Sequence, residues 1–286
     1  VVTPRVALTI AGTDSGGGAG IAADLATFAD LGLHGASVVT AVTAQDTVAV
    51  HAIHPVPFDV VAAQLLAVLD DLAPAVVKTG MLGTAEVARL VAGWCAADAS
   101  RALVVDPVLR ATTGAALAGD GLVAAYVDDL LPVATVVTPN AAEARMLLGL
   151  AADDPTPVRA LAASLADKLD GPVVLLTGGP EVAPGVVAGS PASCVDWLAA
   201  PGSEPVPIEH AAVATTNDHG TGCTYASAVA ALLARGADLP TAARDAAAYV
   251  TDRLTLSSTW TLGRGRGPVA HTIPTGNPAP SPEETA

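Results

Sequence analysis

Asn217-Asp218-His219-Gly220-Thr221-Gly222-Cys223-Thr224 runs straight into a stretch of Ala, Val and Leu. A glycine-rich turn at a helix N-terminus exposes successive backbone N–H groups, and such a cradle binds phosphate. The helix dipole is also expected to lower the Cys223 thiol pKa and make it a better base. A glycine cap over an inert core cysteine is the alternative for Gly220, Thr221, Gly222 and Cys223. For His219 the reading is a loop histidine with a local hydrogen bond, ahead of a proton relay.

A second glycine cluster, Gly12-Thr13-Asp14-Ser15-Gly16-Gly17-Gly18-Ala19-Gly20, follows a short apolar run. Three consecutive glycines exceed what a tight turn needs and permit close backbone approach to a ligand. No G-x-G-x-x-G register fits, and neither lysine follows a glycine, so the dinucleotide fingerprint and the Walker A loop are both excluded. Further on, Asp24 falls about 60° from Ile21 and about 40° from Phe28 around a helix. A carboxylate on that apolar side needs partners, and a bound ligand is one source of them. Gln45 follows a strand and sits before a turn, where an amide that both donates and accepts suits a heteroaromatic ring; an ordinary loop residue is the alternative. Asp106, in Asp-Pro-Val, is an acid at a strand end. Asn140 and Glu143 have capping-box spacing, and Glu143 with Asp106 could also orient hydrated Mg²⁺ beside phosphates.

The elements that must position these residues alternate. Strands are expected at 6–11, 37–44, 75–79, 102–106, 134–138 and 172–177. Helices are expected at 21–31, 58–71, 84–97, 120–131, 141–149, 156–169, 222–235 and 238–255. The alternation implies parallel crossovers in a doubly wound sheet. Residues 185–215 break the pattern and read as a hairpin or meander. The candidate residues fall at the C-terminal strand ends, where ligands of such sheets bind. We expect one domain over 1–271 and a disordered Pro-rich tail over 272–286.

The length fits one large α/β domain, or two small ones. The chain has 286 residues, half of them apolar, and a formal charge of −15. That acidity argues against nucleic acid and anionic membrane as partners. It also means that backbone N–H groups and metal must replace bulk positive charge at any phosphate site, since Lys78 and Lys168 are the only lysines. Three cysteines give no disulfide framework and no paired zinc-ligand spacing. No apolar run approaches about 18 residues, and the first residues lack the pattern of a secretory signal, so a cytoplasmic protein is expected.

Taken in order, AGTDSGGGAG (11–20), AD (23–24), TAQDT (43–47), KTGML (78–82), VVDPV (104–108), TPNAAEA (138–144), DHGTGCT (218–224) and LGRGRGPV (262–269) resemble the hydroxymethylpyrimidine/phosphomethylpyrimidine kinases of the ribokinase-like superfamily. The resemblance runs from about Val6 to His271. It implies a three-layer α/β/α fold, a homodimer, and two ATP- and Mg²⁺-dependent phosphorylations in thiamine biosynthesis. By match, Asp24 and Gln45 hold the pyrimidine, and Gly12, Thr43, Met81 and Val108 line its pocket. Asn140, Thr177 and Gly179 serve the nucleotide, and Asp106 and Glu143 the metal and phosphates. Gly220 to Cys223 form the anion hole, with Cys223 as base. Two positions depart from the pattern: Thr177 stands where similar kinases have a lysine, and Asp46 where they have Asn. A pyridoxal kinase and a catalytically weak pyrimidine sensor are the rival readings. Residues 109–114 lack the lid cysteine of relatives that phosphorylate pyridoxal with two cysteines.

Overall fold

The computed structural model describes residues 3–98, 100–109, 121–178 and 193–273. The main sheet has eight strands. Six are parallel: β1 (Val6–Ala11), β2 (His34–Val39), β5 (Val76–Thr79), β6 (Ala102–Val105), β7 (Val136–Val137) and β8 (Val173–Leu176). The antiparallel hairpin β9 (Ser193–Ala199) and β10 (Val206–Ala211) closes one edge, in the order β10-β9-β8-β7-β6-β5-β1-β2. Two further strands, β3 (Ala41–Gln45) and β4 (Val50–Pro55), pair with each other in a separate antiparallel sheet.

Alternation along the strands divides two apolar layers, because successive side chains leave opposite faces. Leu8, Ile10, Val77, Leu103 and Val105 face a layer that includes helices α2 (Phe58–Leu72), α3 (Ala85–Ala97), α5 (Ala141–Leu148) and α6 (Val158–Leu169). Ala7, Val76, Val104, Val136 and Leu175 face α1 (Gly20–Asp30), α7 (Thr221–Ala234) and α8 (Leu239–Ser257). The short α4 (Leu122–Ala125) leads into a π-helical turn ending at Leu130. Helix α7 buries residues on every side, including Ala226, Ala228, Ala230 and Ala231. Its small side chains let it lie close against the middle of the sheet. The three-layer α/β/α architecture and mostly parallel sheet match the sequence expectation.

One expected strand was in fact two. The 37–44 run breaks at Thr40, whose N–H stays on Ala11 O at 2.9 Å and whose hydroxyl donates to Met81 O at 2.6 Å. Beyond it the chain leaves the main sheet. Strand β4 was not foreseen, because its Val-His-Ala-Ile-His-Pro pairs with β3 alone and His51 to Pro55 stay exposed. With no buried face there is no period-2 signal to read. The expected tail falls on 272–286, of which 274–286 lie outside the described residues. No helix among the described residues is long and apolar enough to cross a membrane.

Candidate active site

The chain order reverses between β1 and β5, since β1 leads to β2 on one side and the later strands add on the other. A cavity of about 1150 Å³ opens at the C-terminal strand ends there. Gly12 follows β1, Gly80 and Met81 follow β5, Asp106 follows β6, Asn140 follows β7 and Thr177 follows β8, and all of them line it. Strand β3 contributes Thr43 and Gln45, and the turn into α7 contributes Gly220, Thr221, Gly222 and Cys223. Val108 and Glu143 complete the wall. A single small heterocycle would leave most of this volume empty; ligand pockets of about 300–1,000 Å³ hold drug-sized molecules. Two ligands side by side fit the size.

The anion loop is held by close backbone approach. Gly220 adopts φ +88°, and a Cβ there would stand 1.8 Å from Gly18 O, so only glycine fits. This packs the 217–224 loop onto the 12–20 loop and brings the N-termini of α1 and α7 to one place. Thr224 N–H and hydroxyl both bond Gly220 O at 2.9 Å, which closes the first turn of α7. Asp14 ties the glycine loop together. Its Oδ1 accepts from Gly16 N at 2.8 Å, and its Oδ2 from Gly18 N at 3.0 Å and Ala19 N at 2.9 Å. Burial pushes the Asp14 carboxyl up, but the His219 bond and these N–H groups outweigh it and hold it below the ordinary value.

His219 departs from the local hydrogen bond expected for it. Its Nε2 lies 2.8 Å from Asp14 Oδ2, across 205 residues of sequence, and 3.1 Å from the Gln45 amide. The ring is buried rather than a loop ornament.

Cys223 also departs from expectation. Burial pushes its thiol up to about 12, and the opposing effects of Lys78 and the Gly20 N–H do not restore it. The side chain is half-buried on the cavity wall, with protein packed densely around its sulfur, and Asp106 and Asp24 repel a thiolate. Desolvation therefore outweighs the dipole of one helix terminus.

Asp24 is not on the cavity wall. The sequence placed it correctly on the buried side of α1, yet assigned it to the ligand. It has no exposed surface, and its oxygens are occupied by Thr9 Oγ1 (2.6 Å), Ser227 Oγ (2.7 Å) and Lys78 Nζ (2.9 and 3.0 Å). Three donors making four contacts leave no capacity for a pyrimidine. Lys78 is the partner that sequence reasoning passed over. It is wholly buried and lies 4.0 Å from Asp106, placing a cation behind the acidic end of the site. Its signal was a lysine inside an otherwise apolar parallel strand, in a chain with two lysines.

Burial raises Asp106 to about 6, against the pull of Lys78 and with Asp24 adding to it, and burial raises Glu143 to about 8, with the Asp106 carboxylate adding to it. Glu143 also completes the capping box: Asn140 Oδ1 accepts from Glu143 N at 2.9 Å, and Glu143 Oε2 from Asn140 N at 3.0 Å. Two crowded carboxyls facing a cavity fit a hard divalent cation that takes its remaining oxygens from phosphate and water. No cluster of three or more His, Cys, Asp or Glu side chains that could cage a metal by itself occurs among the described residues. Asp46 does not reach the cavity. Its Oδ1 caps the turn by accepting from Val48 N at 2.8 Å and Ala49 N at 2.9 Å, and its Oδ2 pairs with His51 and Arg264. Gly179 lies outside the described residues, as do 110–114 of the lid segment.

The sequence matches the model of the phosphomethylpyrimidine kinase family over residues 14–270. The chain belongs to that family. A hydroxymethylpyrimidine/phosphomethylpyrimidine kinase of Streptomyces coelicolor is 44% identical over 271 residues, covering 94% of this chain and 95% of the relative. Among solved structures, a Staphylococcus aureus pyridoxal kinase in complex with AMP-PCP and pyridoxal superposes with a TM-score of 0.79 at 32% identity, covering 94% of each chain. A phosphomethylpyrimidine kinase of Clostridium difficile gives 0.69 at 30% identity, covering 87% of this chain and 98% of its own. Membership in the phosphomethylpyrimidine kinase family makes this chain a small-molecule kinase with a ribokinase-like fold, as its motifs implied.

Proposed function

We propose that the protein transfers the γ-phosphoryl group of ATP to the hydroxyl of 4-amino-5-hydroxymethyl-2-methylpyrimidine, and then a second group to the resulting monophosphate, in thiamine biosynthesis. One observation carries this reading: the N-terminus of α7 and the amide of Gln45 open onto the same cavity. Gln45 would read the ring, with Gly12, Thr43, Met81 and Val108 around it. Asn140 and Thr177 would border the nucleotide. The hydroxyl oxygen attacks phosphorus in line while ADP departs, so positioning and charge stabilisation dominate. The backbone N–H groups of Gly220 to Cys223 would meet the charge on the transferring group. Cys223 would take the hydroxyl proton in the first step; the second acceptor is already a phosphate and needs no strong base.

Asp106 and Glu143 would hold Mg²⁺. Bound there, the ion would neutralise phosphate charge that this acidic protein cannot. Val42, Ile53, Phe58 and Leu66 on β3, β4 and α2 are large exposed apolar side chains that support a homodimer.

Phosphorylation of pyridoxal is the second reading, favoured by the superposition on pyridoxal kinases. Against it stands the absence of cysteine in the 109–114 segment. ADP release from Mg-ATP with the hydroxymethylpyrimidine as acceptor tests the first reading; turnover on pyridoxal alone would replace it with the second.

A further inference from the structure

His219 has no assigned part in the chemistry above, yet both its backbone and its ring are held by specific contacts. Its backbone N–H donates to Gly267 O at 3.0 Å, and its carbonyl accepts from Val269 N at 3.1 Å. Its ring lies where Gly18 leaves room: a Cβ on that glycine would stand 2.7 Å from His219 Cδ2. The imidazole stands with Nε2 between Asp14 Oδ2 at 2.8 Å and the Gln45 amide at 3.1 Å, and the carboxylate contact requires a nitrogen rather than a ring carbon there.

Hydrogen-bond accounting then settles the amide. The Asp14 carboxylate only accepts, so Nε2 must carry a proton and donate. A protonated Nε2 cannot accept from an amide NH₂. With Gln45 Nε2 at the 3.1 Å position, two donors would face each other. The opposite amide rotamer has the same shape and differs only in which end is oxygen. It lets Oε1 share the His219 proton and turns the NH₂ group to the cavity.

We propose that His219 is a positioning residue that locks the Gln45 carboxamide with its NH₂ group toward the ligand, and so decides which hydrogen-bond pattern of a pyrimidine the site accepts. The inference rests on the reading of Gln45 as the pyrimidine contact. A free glutamine is ambidextrous, since it flips to suit either pattern. A locked one is not. Its NH₂ suits a ring nitrogen acceptor, and the remaining lone pair of Oε1 suits the neighbouring exocyclic amine. The 4-oxo analogue presents the reverse, a ring N–H beside a carbonyl. Reading it would require the flip that His219 forbids, and a site left with mispaired polar groups discriminates strongly.

The test measures dissociation constants of 4-amino-5-hydroxymethyl-2-methylpyrimidine and its 4-oxo analogue by calorimetry, for the wild type, His219→Leu and His219→Gln. The wild type should prefer the amine by about 10²-fold or more. His219→Leu should lower that ratio by about tenfold or more, and His219→Gln should restore it, because its Nε2 donates from nearly the same place. A role confined to holding the loops would weaken both ligands alike, so an unchanged ratio in His219→Leu overturns the inference. A wild type that binds both pyrimidines equally overturns it too, while leaving the pyrimidine reading intact. If the wild type binds neither, that reading falls and this one with it. Nitrogen-15 NMR of histidine-labelled wild type needs no variant: a protonated Nε2 on His219 is expected, and an unprotonated one overturns the inference.

Discussion

Asp24 and Lys78 meet at 2.9 Å with neither side chain exposed. The pair sits between α1, β5 and α7, inside the layer of small side chains beneath the site. Thr9 and Ser227 satisfy the remaining oxygen capacity of Asp24. Burial alone would lower the Lys78 pKa, but Asp24, Cys223 and Asp106 together raise it above the ordinary value, so the lysine remains charged.

Lys78→Met should destabilise the fold by about 3–5 kcal/mol, the usual cost of stranding one member of a buried ion pair. Adding Asp24→Asn should recover part of that loss. Urea unfolding of the two single variants and the double variant gives the coupling. If Asp24→Asn instead left stability intact and weakened pyrimidine binding alone, Asp24 would be a ligand contact after all.

Cys223 rests as a thiol, and a thiol cannot take a proton. The thiolate fraction rises with pH toward the value of about 12. The rate of the first phosphorylation should therefore rise through neutral and alkaline pH. Cys223→Ala should cut that step by roughly 10²-fold and flatten its pH profile, the scale of a general base. The second phosphorylation should change far less. Equal loss in both steps would assign Cys223 to binding instead.

The raised carboxyls make a pH prediction for the metal-free protein. A carboxyl whose folded pKa lies above its unfolded value contributes stability below the unfolded pKa, and that contribution is lost as pH rises through the folded one. With Asp106 at about 6 and Glu143 at about 8, stability should fall between about pH 5 and pH 8. Mg²⁺ should reverse the fall and bind more tightly as pH rises, with protons released. Thermal melts in chelator and in Mg²⁺ across that range check it, and melts that coincide would remove the pair from metal binding.

On the proposed reading Thr177 borders the nucleotide with no charge of its own. Of the basic side chains lining the cavity among the described residues, Arg266 is paired with Asp218, His210 Nε2 lies 3.3 Å from Asp196 Oδ2, and His219 Nε2 lies 2.8 Å from Asp14 Oδ2. Thr177→Lys should tighten ATP by about tenfold, equivalent to about 1.4 kcal/mol, with little change in pyrimidine affinity. An unchanged KM for ATP would show that another group already carries this charge.

Much of this site was legible in the sequence because it lies on segments with strong local signals. Glycine clusters and a capping box mark positions after strands, and parallel topology brings strand ends together without further information. Side-chain partnerships were not legible. Asp24 was placed on the right face of α1, but nothing local shows that Lys78 fills its valence from β5. The His219–Asp14 contact spans 205 residues, and no spacing rule reaches that far. The Cys223 pKa failed for a related reason: a helix terminus is visible in sequence, whereas the protein mass around it is not.

The central claim is tested most directly by phosphorus-31 NMR of the products formed from Mg-ATP with the hydroxymethylpyrimidine, its monophosphate and pyridoxal, each supplied alone. The account predicts a phosphomonoester from the first, a diphosphate from the second, and slower or no product from pyridoxal. A phosphomonoester from pyridoxal with no product from either pyrimidine would contradict it.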